Sequence, residues 1–333
     1  MWLKLLSRLR NPTKAIYGSK IWEPFGEIEN SQFEDFISKN SVRMYEKKWD
    51  AIHRSHGVKS EDPAKIIISF IDEKVKSNSP FSIIRANDGE GTLLFGETFK
   101  KYDRSPLDTY ITKRISQIIF GSDQLIPDNV NEFRKLLQTS IENADVLGIP
   151  VRSFIRRKLN NEHISDVDIR AVLGSYAQVC YIFEKLKSNK NYSTIIITGP
   201  WISKLLLPHF GEIFQKFSNI SIITGNKGLG EKIKNSFKLK HVNEINIPGQ
   251  RSMRDKSAEL HWPDRYNSVL KEINSLPCDS LVLVAAGVLG KPYCNSVKAS
   301  GNCAIDIGHV ADIWYGKATR PGVKNEVIEE WAL

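Results

Sequence analysis

The sequence is poor in cysteine and has no pair of cysteines at metal-ligand spacing. Cys180, Cys278, Cys294 and Cys303 contain no C-x-x-C step. That excludes a zinc ribbon and a disulfide framework, and reduced thiols are the expectation. Long apolar runs are missing too. The longest uncharged one, Leu281 to Gly290, has ten residues, about half of the roughly 20 that a bilayer-crossing helix needs. The phosphate-binding patterns G-x-x-x-x-G-K-[ST] and G-x-G-x-x-G are absent, which sets aside the usual ATP-hydrolase and NAD readings. G-x-S-x-G, H-E-x-x-H and a kinase signature are also lacking, and the seven histidines form no ligand-spaced cluster. Hydrolase and zinc-enzyme readings therefore fall away. No basic stripe interleaved with aromatics and no helix-turn-helix or RRM signature is found, so nucleic acid is not an expected partner.

What is present is a globular mixture. Of 333 residues, 41% are hydrophobic and 26% charged, with a formal net charge of +9. Such a chain buries a large core, and disorder is excluded as its main state. The positive charge is uneven. Lys4, Arg8, Arg10, Lys14 and Lys20 fall in the first twenty residues, where no acid occurs. In the same stretch Trp2, Leu5, Leu6 and Leu9 recur at helical spacing on one face. A basic amphipathic segment of this kind can lie on an anionic membrane surface, or it can pack on its own domain. The expected location is cytoplasmic, with peripheral contact at the inner face of the cell membrane.

The chain shows no internal repeat. Residues 1–20 form the basic segment, and residues 21–79 read as a helical extension. In that extension one polar, helix-like stretch runs from Ser31 to Ser60, with Phe33, Phe36, Ile37, Met44 and Trp49 as its apolar stripe, and a second helix covers Pro63–Lys76. From residue 80 to 333 short apolar runs alternate with helical stretches. The runs are 81–85, 146–149, 194–198, 220–224, 244–247, 281–285 and 304–307; the helical stretches are 166–187, 201–217, 228–237, 263–276 and 292–299. This alternation predicts an α/β fold: a Rossmann-like, mostly parallel sheet with helices on both faces, preceded by amino-terminal helices. Ligands of such sheets bind beyond the carboxyl ends of the strands.

Three groups of residues stand at those ends. Arg85-Ala-Asn-Asp-Gly-Glu90 leaves the first strand. Asp88 and Glu90, one glycine (Gly89) apart, can face one point and offer hard oxygen ligands for Mg²⁺ or Mn²⁺. Arg85 can pair with a phosphate or clamp the carboxylates. Ordinary turn chemistry, with Glu90 as a first-turn helix acid, accounts for the same pattern. Asp306-Ile-Gly-His309 leaves the last strand, with Asp312 three residues on; His309 can act as ligand, base or hydrogen-bond donor, or serve the fold. Glycine-bearing turns at Gly199, Gly225–Gly230 and Gly287–Lys291 expose backbone N–H groups to an anion, with Gly290 and Lys291 as phosphate contacts. Arg251, in a stretch with Arg254 and Lys256, can close over an anionic donor.

The front motif Arg85-Ala-Asn-Asp-Gly-Glu90 and the rear motif Ala304-Ile-Asp-Ile-Gly-His309 together resemble the GT-D-fold glycosyltransferases. That bacterial family was first described as a domain of unknown function acting in glycan assembly on adhesins. Its front motif reads approximately Arg-Phe-Gly-Asp-Gly-Glu. Its rear motif reads approximately Ala-Ile-Asp-Ile-Gly-His, after a turn that looks like Gly290-Lys-Pro-Tyr here. The similarity covers roughly residues 80 to 315. In this chain Ala86-Asn87 replaces the aromatic-glycine pair, and the acid after the histidine, Asp312, comes one place later. The resemblance implies a GT-D-like domain, a metal held by Asp88 and Glu90, and a donor site that includes Asp306 and His309.

The function expected from these residues is metal-dependent transfer of a hexose from a nucleoside-diphosphate sugar, a UDP-sugar foremost. The acceptor would be a surface glycan or a lipid-linked oligosaccharide in polysaccharide biosynthesis. Asp88, Glu90, His309 and Asp312 are the catalytic candidates. Arg85, Gly89, Gly199, Arg251, Gly290, Lys291 and Asp306 are the substrate-binding ones. This expectation requires Asp88 and Glu90 to converge with His309 on one cation-and-pyrophosphate pocket. Two other readings are a non-catalytic nucleotide-sugar-binding module and, more remotely, a basic nucleic-acid-binding protein.

Overall fold

The structure, a computed structural model, describes residues 26–120, 127–159, 166–189, 193–198, 202–249, 260–317 and 325–333. Gly199, Arg251 and the basic segment 1–20 lie outside the described residues. Seven strands form one sheet: β1 (Ser82–Arg85), β2 (Val146–Ile149), β3 (Ile195–Thr198), β4 (Asn219–Thr224), β5 (Val242–Asn246), β6 (Ser280–Ala285) and β7 (Cys303–Asp306), in the order β3-β2-β1-β7-β6-β4-β5. The pairs β1–β7, β7–β6, β6–β4 and β4–β5 are all parallel. The predicted α/β, Rossmann-like sheet is therefore the observed architecture. The chain divides into two compact units, the first made of Met1–Gly57, Ala86–Lys135 and Gly148–Pro200, the second of Val58–Arg85, Leu136–Leu147 and Trp201–Leu333.

In the first unit the stretch expected as one helix from Ser31 to Ser60 is two, α1 (Glu27–Lys39) and α2 (Val42–His56). Ser41 divides them, because its hydroxyl accepts the N–H of Met44 and caps α2. Met44, placed in the apolar stripe by sequence, is instead 42% exposed. The buried face of α2 is Tyr45, Trp49 and Ile52, and the Trp49 indole donates to the Pro150 carbonyl at 2.8 Å. Four helices follow in this unit or at its edge: α4 (Asp88–Thr98), α5 (Pro106–Phe120), α7 (Phe154–Leu159) and α8 (Asp166–Ser188), with α3 (Pro63–Lys76) and α6 (Pro127–Glu142) numbered in chain order. Phe36 packs on Phe95, Phe99, Tyr102 and Tyr176 with ring centroids 4.9 to 5.7 Å apart. Beneath them Arg134 joins both Asp108 oxygens at 2.9 Å and the Leu93 carbonyl at 2.6 Å.

In the second unit Asp62 caps α3, accepting from Lys65 N–H, with Pro63 at the first helical position. The strand β7 is buried throughout, and β4 and β6 are buried at every residue but one at an end, as expected of a parallel sheet covered on both faces. The stretch expected as one helix over 201–217 is interrupted. Pro208, which has no N–H to give, sits in the turn between α9 (Ile202–Leu206) and α10 (Phe210–Phe214). The later helices are α11 (Leu229–Ser236), α12 (Tyr266–Asn274), α13 (Gly290–Ala299), α14 (Val310–Tyr315) and α15 (Asn325–Trp331). Phe210, Phe214, Phe237 and Trp314 pack edge to face in this unit's core.

Candidate functional site

Arg85 ends β1 and Asp306 ends β7, and the register Ile83↔Ile305 sets the two strand ends side by side. The Asp306 carboxylate is 1% exposed, and the Lys291 ammonium, 2% exposed, stands 3.0 Å from its Oδ2. Lys291 also donates to the Gly287 carbonyl at 3.0 Å. Arg85 Nε lies 3.5 Å from the same Asp306 oxygen. Burial by itself would raise the Asp306 carboxyl, yet Lys291 and then Arg85 hold it below its ordinary value. Two cations thus converge on one buried carboxylate at the ligand side of the sheet. Gly308 makes room for one of them: it adopts φ +47°, and a Cβ there would fall 2.0 Å from Arg85 Nη2. Gly290, at the start of α13, stands beside the carboxylate, and a Cβ there would lie 3.8 Å from Asp306 Oδ1, an ordinary contact.

By sequence Lys291 reads either as a phosphate contact or as a solvated lysine at a helix start. The solvated reading is excluded, because the ammonium is buried against Asp306 and the Gly287 carbonyl. His309 is buried just before α14, whereas Asp312, within that helix, is partly exposed. Asp312 Oδ1 accepts from Asn226 Nδ2 at 2.9 Å, and the Asn226 N–H donates to Thr224 Oγ1 at 3.1 Å. Asn226 and Thr224 were not candidates by sequence. The signal that finds them is their place at the carboxyl end of β4, where Thr224 is the last strand residue and Asn226 follows two positions on.

Asp88 and Glu90 belong to the first unit, whereas Arg85, Lys291, Asp306, His309 and Asp312 belong to the second. Both acids stand in the first turn of α4, on either side of Gly89. Glu90 is buried and turns back, its Oε2 accepting the Asn87 N–H at 2.8 Å. This is the glutamate half of a capping box. Asp88 Oδ2 accepts from Arg170 Nη2 at 2.7 Å, and Arg170 Nη1 donates to Thr92 Oγ1 at 3.0 Å. Thr92 in turn donates to the Asp88 carbonyl at 2.6 Å. Arg170 comes from α8, a helix that no local motif connects with Asp88.

The fit to a divalent ion follows from these partners. A carboxylate has two oxygens, so one hydrogen bond to Asp88 and one to Glu90 do not remove either as a ligand. Among the described residues no group of three or more His, Cys, Asp or Glu is gathered to hold a metal. The pair would supply two hard oxygen ligands at most, and Mg²⁺ or Mn²⁺ would complete its shell with waters and substrate phosphates.

The glycine turn Gly225–Gly230 is also occupied. Glu244 of β5 presents Oε1 to the Gly228 N–H at 2.9 Å and Oε2 to the Gly230 N–H at 2.6 Å. The anion expected there from a ligand is the protein's own carboxylate, which satisfies the start of α11.

No family model and no curated protein matches this chain. Among solved structures it is similar to a selenomethionine-substituted structure of domain of unknown function 1792. The identity is 15%, the match covers 79% of this chain and 87% of that one, and the TM-score is 0.40. A likeness at that level adds no argument about the site. Chemistry here rests on the residues themselves. Buried thiols supply none: desolvation pushes Cys180 up to about 12 and Cys303 to about 11, far from nucleophilic at neutral pH.

Proposed function

We propose that this protein is a glycosyltransferase that moves a hexose from a nucleoside-diphosphate sugar to a glycan or lipid-linked glycan acceptor. One observation carries the reading. Arg85 of the front motif and Asp306 of the rear motif, remote in sequence, are in direct contact beyond adjacent parallel strands, with Lys291 completing the cluster. That is the side of the sheet on which α/β folds bind ligands, and Arg85 is the partly exposed member of the cluster.

Transfer breaks the bond from the anomeric carbon to the diphosphate and forms one to an acceptor hydroxyl. The leaving diphosphate gains negative charge as the bond breaks, so fixed cations stabilise the transition state more than the ground state. Arg85, partly exposed over Gly308, is the group placed to meet that charge. Lys291 acts one step back, holding Asp306 and thereby Arg85. Asp312, partly exposed and oriented by Asn226, takes the acceptor proton, in preference to the buried His309. The resemblance adds Mn²⁺ or Mg²⁺, which Asp88 and Glu90 would hold and which would offset charge on the leaving diphosphate.

A thermal-shift screen of nucleoside-diphosphate sugars, with and without Mn²⁺, followed by donor hydrolysis, tests the reading. A preferred donor should raise Tm without added metal, and Arg85→Ala should abolish that rise. A rise that needs Mn²⁺ would return the metal to Asp88. Binding without any turnover would make the protein a nucleotide-sugar-binding module, and no response to any donor would end the proposal.

A further inference from the structure

The outward face of α2 carries charge that the proposed activity does not use. With Tyr45, Trp49 and Ile52 turned inward, the opposite side of the helix presents Arg43, Lys47 and Arg54, all exposed and on one helical face. Two further arginines reach over from the turn and helix that follow β2. Arg152 grips Asp50 through two hydrogen bonds of 2.7 and 3.0 Å, and Arg156 grips Glu46 through two of 2.9 and 2.7 Å. These pairs consume the two acids of α2, and Arg157 beside them is exposed as well. On the other flank Lys48 is paired with Glu184. Met44 stands exposed at the edge of the stripe. All of these residues belong to the first unit.

We propose that this face, α2 with α7 beside it, is a docking surface for an anionic lipid bilayer. The inference is independent of the glycosyltransferase reading. Charge complementarity calls for a polyanion, and the sequence ahead of α1 carries Trp2, Leu5, Leu6 and Leu9 among five cations and no acid. Apolar residues in that setting gain from an acyl boundary and gain nothing from a nucleic-acid backbone, which decides between the two polyanions.

Co-sedimentation of the full chain with vesicles of mixed phosphatidylglycerol and phosphatidylcholine tests the surface. Each cation removed should weaken partitioning roughly fivefold, so R43Q/K47Q/R54Q should lose about a hundredfold and Lys47→Gln by itself about fivefold. All three side chains are exposed, and an unchanged melting curve will certify the fold. Unchanged partitioning of the triple variant overturns the proposal. So does a DNA duplex that displaces the protein from vesicles as well as competing anionic vesicles do, since the face would then prefer nucleic acid.

Discussion

Lys291 shows how far a residue's chemistry depends on what lies across the sheet from it. Read along the chain, it is a lysine after a glycine-rich turn, equally suited to a phosphate or to solvent. Folded, it neutralises Asp306 in a place where neither charge has water to fall back on. Removing one partner of such a pair leaves a buried charge uncompensated, at a cost of about 3–5 kcal/mol. Lys291→Met is expected to lose that much in chemical denaturation, and adding Asp306→Asn should restore part of it. Asp88 and Glu90 show the same dependence. Their spacing suggests one shared ligand, and the fold adds partners that the spacing does not show, the Asn87 N–H on Glu90 and an arginine from α8 on Asp88. Arg170 and Asn226 could not be found by spacing, because each meets its partner only after distant segments pack.

Elements were more legible than side chains. The seven strands lie within a residue or two of their expected positions, because continuous β-branched and aliphatic runs have no other comfortable place. The helix α4 was expected only as a possible first turn around Glu90, not over its full length. Its residues Glu90 to Gly96 are all buried, so it lacks the amphipathic stripe that announces a surface helix. What seats it is close backbone approach to α8. A Cβ at Gly91 would fall 1.8 Å from the Gly174 carbonyl, and one at Gly174 would fall 2.0 Å from the Asp88 carbonyl. Gly174→Ala must therefore push α4 off α8 and loosen the Arg170–Asp88 pair. We expect a loss of about 1–3 kcal/mol, the overpacking range, or more, read as a lowered urea midpoint with an unchanged slope.

At the scale of the whole molecule, acid should be the first solvent condition to undo the fold. Hydrogen bonds from Arg156 and Arg152 hold Glu46 and Asp50 below their ordinary values of 4.5 and 3.8. Asp306 is held below 3.8 by Lys291 and Arg85 against the opposing effect of burial. An acid whose folded pKa is depressed contributes stability above its unfolded pKa and loses it as pH falls through the folded value. Asp108 works the other way: burial raises it in spite of Arg134, so its share declines as pH rises. Lys101 and Lys39 likewise lower Asp35, and Lys48 lowers Glu184 against its burial. Among the described residues five depressed carboxylates against one raised give the expected profile, a Tm that is level from neutral pH to about 5 and falls below about 4. Among the described residues no helix is long and apolar enough to cross a membrane.

The sequence by itself determined the alternation of strands and helices, and with it a parallel α/β sheet, because hydrophobic period and turn residues act over a few positions. It also determined that Arg85 and Asp306 would stand at strand ends. Tertiary structure decided their partners: Arg85 and Lys291 on Asp306, Glu244 in the glycine turn, Arg170 on Asp88, Asn226 on Asp312. It also decided the two units, each woven from separate stretches of chain. The physical reason is that a buried charge takes whichever complementary group packing delivers, and packing joins segments whose separation no local pattern records.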